Sequence, residues 1–330
     1  MQVYKSIKGY SGFSQLGIFL LFLGLGLVLT SIVQFIIALQ MVPAGTSFNQ
    51  IESALMDAMQ DSKNIEKVRL LQIMGTLCML FIPAILFSWR VNGKHPFWLG
   101  FNKQFNVFQI MLGFLIIFTA NIMAGPLQDL SVKIVSHFPT LETMAKTMEE
   151  NYNDQVKLLS HLSGIPDLII AIITMAFFPA LFEELFFRGA LQNFLVRWWK
   201  KPFVSIFVSS LIFSLIHMSI YLFLSRLVLG FALGMMFYQT KNIWVNTFAH
   251  FLNNAIAVFQ LYFLTTYSKE KIDLSKLDPK VDWWIGAIAF IVLFFLFNVL
   301  KKYSQTTLSK INSKESFLLL QHTNEENISE

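Results

Sequence analysis

The feature that most constrains this chain is a series of eight apolar runs, at about residues 17–39, 70–89, 107–124, 167–187, 203–218, 224–239, 243–264 and 283–300, each with few charges. A helix needs roughly 20 apolar residues to cross the hydrocarbon core of a bilayer. A helix that is apolar on every side can be buried only in lipid or in a very large core, and 330 residues divided among eight such helices leave no chain to build that core. Composition agrees: only 14% of the residues are charged, against about 25% in ordinary soluble domains. The expected fold class is therefore all-α, a polytopic membrane protein of about eight transmembrane helices. The first run follows Lys5 and Lys8, as a signal peptide would, but exceeds the roughly 7–15 residues of a signal h-region and is kept as a span. The single cysteine, Cys78, excludes an intrachain disulfide. The net charge of +5 is spread over loops rather than gathered in a basic stripe, so the expected partner is the lipid bilayer and not nucleic acid.

Five regions follow from the runs: an N-terminal three-span region (1–125), a polar insertion (126–166), a central region of four runs (167–264), a loop with the last span (265–303) and a polar tail (304–330). Within the insertion, residues 141–159 mix apolar Met144, Met148, Tyr152, Val156 and Leu159 with charges, the pattern of a helix lying on the membrane or capping the bundle. The tail is rich in Ser, Asn, Glu and Lys and is expected to be solvated or disordered. With the N-terminus inside, the inner loops and tail hold thirteen Lys and Arg against eleven outside, so both termini are expected to be cytoplasmic. Tryptophans at 89, 98, 198, 199, 244, 283 and 284 fall at span ends, as interfacial belts require.

Ionisable side chains inside a span cost about 2.5–3.5 kcal/mol each on insertion scales and mark function by default. Glu183 and Glu184 point about 100° apart on a helix, so they cannot share one task. Glu184 and Arg188 are spaced i, i+4 in the favourable acid-first order and can neutralise each other. Glu183 has no local partner, and a lone carboxylate away from water holds its proton more readily, as a general base near pH 7 requires. His217 ends the fifth run. His250 and Asn254 lie one turn apart on one face of the seventh, with Asn253 beside them. A carboxylate, two imidazoles and an amide form a hydrolytic set: one group activates water while others donate to the oxyanion of an attacked carbonyl. Singly, each polar group could merely join helices. Arg226, near a span end, is expected to snorkel and carries no role. Counted from the cytoplasmic ends, Glu183 and His250 fall in the inner half of the bilayer and His217 deeper, a mismatch requiring a later start or a tilt of the fifth span.

These stretches resemble the CAAX-protease and bacteriocin-processing family (CPBP, or type II CAAX prenyl endopeptidase), whose motifs E-E-x-x-x-R, F-x-x-x-H and H-x-x-x-N read here Glu183-Glu184-x-x-x-Arg188, Phe213-x-x-x-His217 and His250-x-x-x-Asn254. The resemblance covers about residues 167–264. It implies an intramembrane endopeptidase of the bacterial inner (plasma) membrane acting on peptide or protein substrates, lipidated or not. Glu183 with His217 would activate the water, His250 and Asn254 would form the oxyanion site, and Glu184 and Arg188 would brace the base. Family members have been described both as metalloproteases and as metal-independent glutamate proteases. Glu183, His217 and His250 could supply three ligands to Zn²⁺. No His-Glu-x-x-His occurs on one helix, so the metal-free reading is favoured. A proton- or ion-coupled transporter and a non-catalytic scaffold or immunity protein of the same fold are the competing readings; no inverted repeat of broken spans supports the transporter.

Overall fold

The computed structural model describes residues 4–159, 164–267 and 280–329. Among them are ten α-helices and no β-strand, apart from one isolated bridge between Lys5 and Ser11. The helices are α1 Gly12–Leu39, α2 Ile51–Gln60, α3 Ile65–Asn92, α4 Val107–Ser136, α5 Pro139–Leu159, α6 Ile165–Trp199, α7 Pro202–Ile216, α8 Phe223–Thr240, α9 Ile243–Tyr267 and α10 Trp283–Ser329. All eight expected runs are helical. Six helices, α1, α3, α4, α6, α8 and α10, are long and apolar enough to cross a membrane, and the protein is an all-α integral membrane protein. The other two fall short for visible reasons. Helix α7 has 15 residues, and α9 has 25 but is interrupted by Asn246, Thr247, His250, Asn253 and Asn254.

Local chemistry sets the helix limits. Ser11 caps α1 by accepting from the Ser14 amide, and Asn106 with Gln109 forms a reciprocal capping box at the start of α4. Helices α3 and α6 each contain a π-turn segment four residues ahead of a proline: Leu77–Phe81 before Pro83 and Ile172–Phe177 before Pro179. A proline ring clashes with the carbonyl four residues earlier and offers no N–H, and widening the preceding turn relieves both without exposing backbone to lipid.

Two apolar clusters make the interior. Phe19, Phe87, Phe182, Phe186, Phe187, Phe194 and Phe213 knit α1, α3, α6 and α7 together. Leu112, Ile116, Met236, Val245, Ala249 and Leu300 join α4, α8, α9 and α10. The outer surface keeps large apolar side chains exposed, such as Leu21 and Val28 on α1 and Phe290 and Phe294 on α10, as a lipid-facing surface must.

Three expectations are corrected. Pro126 does not begin a polar insertion but lies buried inside α4; the turn that leaves that helix comes at His137 and Phe138. The tail is not a disordered segment: α10 continues through it to Ser329. Gln109 donates to Ser304 and Thr307 at 3.0 Å each, Ile311 is buried against Phe97 and Trp98, and Glu315 pairs with Arg197 at 2.7 Å and Lys241 at 3.3 Å. Trp98 is accordingly buried rather than interfacial. The loop expected at 265–282 falls mostly on 268–279, outside the described residues, as do residues 160–163 of the insertion.

The third correction concerns depth. The fourth run reads as ending at 187 because Arg188, Gln192 and Asn193 follow it, yet α6 continues to Trp199. Each of these polar side chains finds a partner inside the bundle: Arg188 pairs with Glu184 at 2.9 Å, Gln192 donates to the Gly234 carbonyl at 2.9 Å and Asn193 to the Trp98 carbonyl at 2.9 Å. Glu183 therefore lies 16 residues inside the Trp199 end, about 24 Å at 1.5 Å per residue. His217 follows the 15 residues of α7, about 22 Å from its Pro202 end. The two sit at one level, and no tilt or later start of α7 is needed.

Candidate active site

The site forms where α6, α7, α8 and α9 meet. Between Glu184 and Asn193 the backbone of α6 opens into a third π-turn segment, Leu185–Gln192, all of whose residues are buried. No proline causes this one. The freed Phe187 carbonyl accepts from Ser209 of α7 at 3.2 Å, and helices can approach because Gly189 and Gly234 carry no side chain. A Cβ on Gly189 would lie 2.7 Å from the Leu99 carbonyl oxygen, and one on Gly234 2.7 Å from Ile206. Such π-turns recur at functional sites because they re-aim side chains within a helix.

Glu184 is the hub. It is fully buried and its carboxylate receives three donors. Arg188 Nη1 reaches Oε1 at 2.9 Å, Asn246 Nδ2 reaches Oε2 at 3.0 Å, and His250 Nδ1 reaches Oε1 at 3.0 Å. Arg188, equally buried, donates its other terminal nitrogen to the Gly230 carbonyl at 3.1 Å and stacks on the Phe213 ring at 4.8 Å. An uncompensated ion in this interior would cost several kcal/mol. The i, i+4 pair read from sequence is therefore present, but it does more than brace α6: it ties α6 to α8 through Gly230 and to α9 through Asn246 and His250.

A carboxylate can only accept, so the His250 nitrogen facing Glu184 is the one that carries hydrogen. This fixes the ring and leaves Nε2 to face Glu183, 3.9 Å from its Oε2. That separation is too long for a direct hydrogen bond and suits one bridging water. Glu183 is mostly buried and, unlike Glu184, is not locked to an arginine. His217 uses Nδ1 on the Phe213 carbonyl at 2.6 Å, so its Nε2 is likewise the free nitrogen. Its ring lies 4.5 Å from that of Phe213, which also meets His250 edge-on at 6.5 Å, and Glu183, Arg226 and His250 all lie within electrostatic reach of it. Phe213 thus packs against Arg188 and both imidazoles.

The structure brings Glu183, Glu184, Arg188, His217 and His250 together. Asn254, one turn beyond His250, is half-buried and has no hydrogen-bond partner among the described residues. Asn253 turns away from the site and accepts from Asn121 of α4 in a short interhelical bond. Two participants were missed from sequence. Asn246 supplies one of the three donors to Glu184, and the signal was its position one turn before His250, continuing the Asn246, His250, Asn254 face. Arg226, expected to snorkel, instead donates Nη1 to the His217 carbonyl at 3.1 Å. Among the described residues, no group of three or more His, Cys, Asp or Glu comes together closely enough to hold a metal ion.

A membrane-buried carboxylate and two oriented imidazoles thus meet from α6, the end of α7 and α9. Residues 165–256 match the family described as type II CAAX prenyl endopeptidase Rce1-like, the stretch that carries all three motifs. At the level of that family the match supports an intramembrane protease of the CAAX type. The chain is also 32% identical over 104 residues to the uncharacterized protein YpbD of Bacillus subtilis (strain 168). That similarity covers 30% of this chain and 48% of the relative, so about half the length of the curated relative is spanned. No solved structure matches.

Proposed function

We propose that the protein is an intramembrane endopeptidase that cleaves peptide bonds of membrane-associated substrates with a water activated by Glu183 and His217. The observation that carries this reading is the line Glu184, His250, Glu183. A buried, arginine-paired carboxylate fixes one nitrogen of His250 at 3.0 Å and aims the other at a second, unlocked carboxylate 3.9 Å away. A purely structural cluster would need one partner for each polar group and no unlocked acid.

In this reading the water oxygen attacks the scissile carbonyl carbon while Glu183 takes its proton, and His217 orients the water through Nε2. The carbonyl π electrons become the oxyanion, which receives hydrogen bonds from His250 Nε2 and the Asn254 amide. In this role His250 carries hydrogen on both nitrogens, Nδ1 serving Glu184 and Nε2 the oxyanion. Collapse breaks the C–N bond, and Glu183 returns the proton to the leaving amine. Arg188 and Asn246 touch neither substrate nor water; they hold Glu184, which holds His250. No step in this reading is assigned to a metal.

The proposal places the enzyme in the bacterial inner membrane with both termini cytoplasmic. The test is cleavage of candidate membrane peptides, prenylated and unmodified, by purified wild type and by Glu183→Ala, each with and without a chelator. Cleavage by wild type that Glu183→Ala abolishes and the chelator spares supports the reading. Equal cleavage by the two proteins overturns the role of Glu183, and chelator-sensitive cleavage overturns the metal-free route.

A further inference from the structure

Arg226 is a charged side chain at membrane depth that the hydrolytic scheme does not use. It lies on the first turn of α8, the helix that begins after α7 has ended at the site. The end of α7 is exposed to a particular hazard. The last four carbonyls of any helix lack intrahelical donors, and here that end, carrying His217, lies deep in the bundle. Met218 then takes a left-handed conformation, φ 49°, without being glycine, so the turn is held against a local conformational preference.

Besides its backbone bonds and the His217 bond to Phe213, three side-chain bonds hold it. Ser214 donates to the Phe223 carbonyl at 2.6 Å, the Leu222 amide donates to Ser219 at 3.3 Å, and Arg226 Nη1 donates to the carbonyl of His217 itself at 3.1 Å. The first two lie within the turn. The third depends on where the guanidinium is placed: Arg226 packs over the ring of Tyr152 at 5.5 Å and meets its hydroxyl, and Glu149 and Glu183 lie within its electrostatic reach. Tyr152 and Glu149 belong to α5, Glu183 to α6.

Helix α5 is the amphipathic segment outside the apolar spans. It grips the bundle through few residues. Ala145 is buried, and Met148 faces a cavity of about 410 Å³ whose other walls include Ser131 and Val135 of α4 and Leu215, Met218 and Phe223 around the α7–α8 turn. Tyr152 keeps 42% of its surface exposed. Helix α5 therefore covers the apolar cavity beside His217, and its only described hold on a charged group of α8 is the Tyr152 and Glu149 contact with Arg226.

We infer that Arg226 is a positioning residue that couples α5 to His217: docking of α5 through Tyr152 sets the guanidinium that fixes the His217 carbonyl, so α5 is a cover whose seating completes the site. This rests on the reading of His217 as part of the hydrolytic machinery. With α5 displaced, the cavity opens to a substrate segment and the His217 turn loosens; with α5 seated, the imidazole is locked.

The test has one arm that needs no activity. Hydrogen–deuterium exchange is measured over residues 214–222 in wild type, Tyr152→Ala, Tyr152→Phe, Arg226→Ala, Tyr152→Ala/Arg226→Ala and Thr147→Ala, the last at an exposed position of α5 whose hydroxyl bonds only within that helix. The expected result is faster exchange in that turn for Tyr152→Ala and Arg226→Ala. Thr147→Ala should match wild type, Tyr152→Phe, which keeps the ring and loses the hydroxyl contact, should fall between wild type and Tyr152→Ala, and the double variant should be no faster than Arg226→Ala alone, since groups acting through one contact are non-additive. In the cleavage assay Tyr152→Ala and Arg226→Ala should lose about 10- to 100-fold in kcat, as misplacement of a reacting group does, with little change in KM. Additive effects, or unchanged exchange at 214–222 in Tyr152→Ala, would overturn the coupling even if the protein proves to be a peptidase. The expected exchange pattern in a protein that cleaves nothing would leave the coupling standing and refute the hydrolytic reading alone.

Discussion

Glu184 and His250, 66 residues apart in the chain, meet at 3.0 Å through Oε1 and Nδ1 in the interior of the bundle. The bond has two consequences. It decides which nitrogen of His250 is presented to the site, and it makes the integrity of α9 depend on the charge state and shape of a residue on α6. The proposed function therefore gives the two adjacent acids separable tasks, Glu184 holding the frame and Glu183 meeting the substrate.

Glu183→Gln keeps size and removes the proton acceptor, so the expected outcome is loss of cleavage with near-normal folded yield. Glu184→Gln removes the negative charge from Arg188, which is 1% exposed. Breaking a buried pair by removing one partner costs about 3–5 kcal/mol, so folded yield and thermal midpoint should both fall. Purification yield and thermal unfolding, measured beside activity, check the division. Equal yields with equal activity losses would refute it.

The docked tail yields a prediction in which magnitude separates two kinds of contact. Ile311 is 1% exposed against Phe97 and Trp98, whereas Glu315 forms part-exposed pairs with Arg197 and Lys241. Truncating a buried isoleucine to alanine costs about 2–5 kcal/mol, and exposed ion pairs contribute about 0–1 kcal/mol. Thermal unfolding of the purified protein should show a larger loss for Ile311→Ala than for Glu315→Ala, with only the latter shrinking further at high salt. The reverse order would mean that charge, not burial, docks the tail.

The apolar runs made the fold class legible, because a bilayer leaves a chain few ways to bury its backbone. The polar exceptions within those runs made most of the site legible, since a carboxylate or imidazole in lipid has to be accounted for. What could not be read depends on contacts between distant segments. Arg188, Gln192 and Asn193 look like the end of a span until Gly230, Gly234 and Trp98 are placed beside them to accept their hydrogens. The tail reads as solvated because Ile311 and Glu315 find their partners some 200 and 118 residues away. Asn246 passed as one polar residue in an apolar run, although its i, i+4 relation to His250 was visible. Arg226 was misjudged because snorkelling explains any arginine near a span end, and only the placement of α5 shows that this one is engaged.

Contacts between segments decide which of them share an end of the bundle. Phe13 at the start of α1 packs on Trp198 at 5.0 Å, and Glu315 of α10 pairs with Arg197, so both ends of the chain lie at the Trp199 end of α6. Trp283 begins α10 at the far end, where Gly286 meets Pro126. Reporter fusions after Lys201 and after Lys280 should therefore give opposite signals, cytoplasmic for the first. The same side for both would sink the topology, and the opposite assignment would invert the orientation read from the loop charges.

The last prediction concerns the face of α9 beyond His250. Asn253 and Asn254 are neighbours about 100° apart around the helix, and the structure engages them differently. Asn253 is bonded to Asn121 of α4, while Asn254 has no partner among the described residues and continues the face of Asn246 and His250 that looks into the site. An amide waiting for a partner that forms only during reaction stabilises the transition state and not the bound substrate. Asn254→Ala should accordingly lower kcat by about 10²–10³, the usual cost of losing one oxyanion donor, with KM little changed. Asn253→Ala should leave kcat near wild type and cost about 0.6 kcal/mol of stability, the average for an interhelical hydrogen bond in a membrane. Steady-state kinetics with thermal unfolding on the same preparations separates the two. If Asn253→Ala proves the more damaging to kcat, or if Asn254→Ala changes only KM, then Asn254 does not face the developing oxyanion and the helix phase on which its assignment rests is wrong.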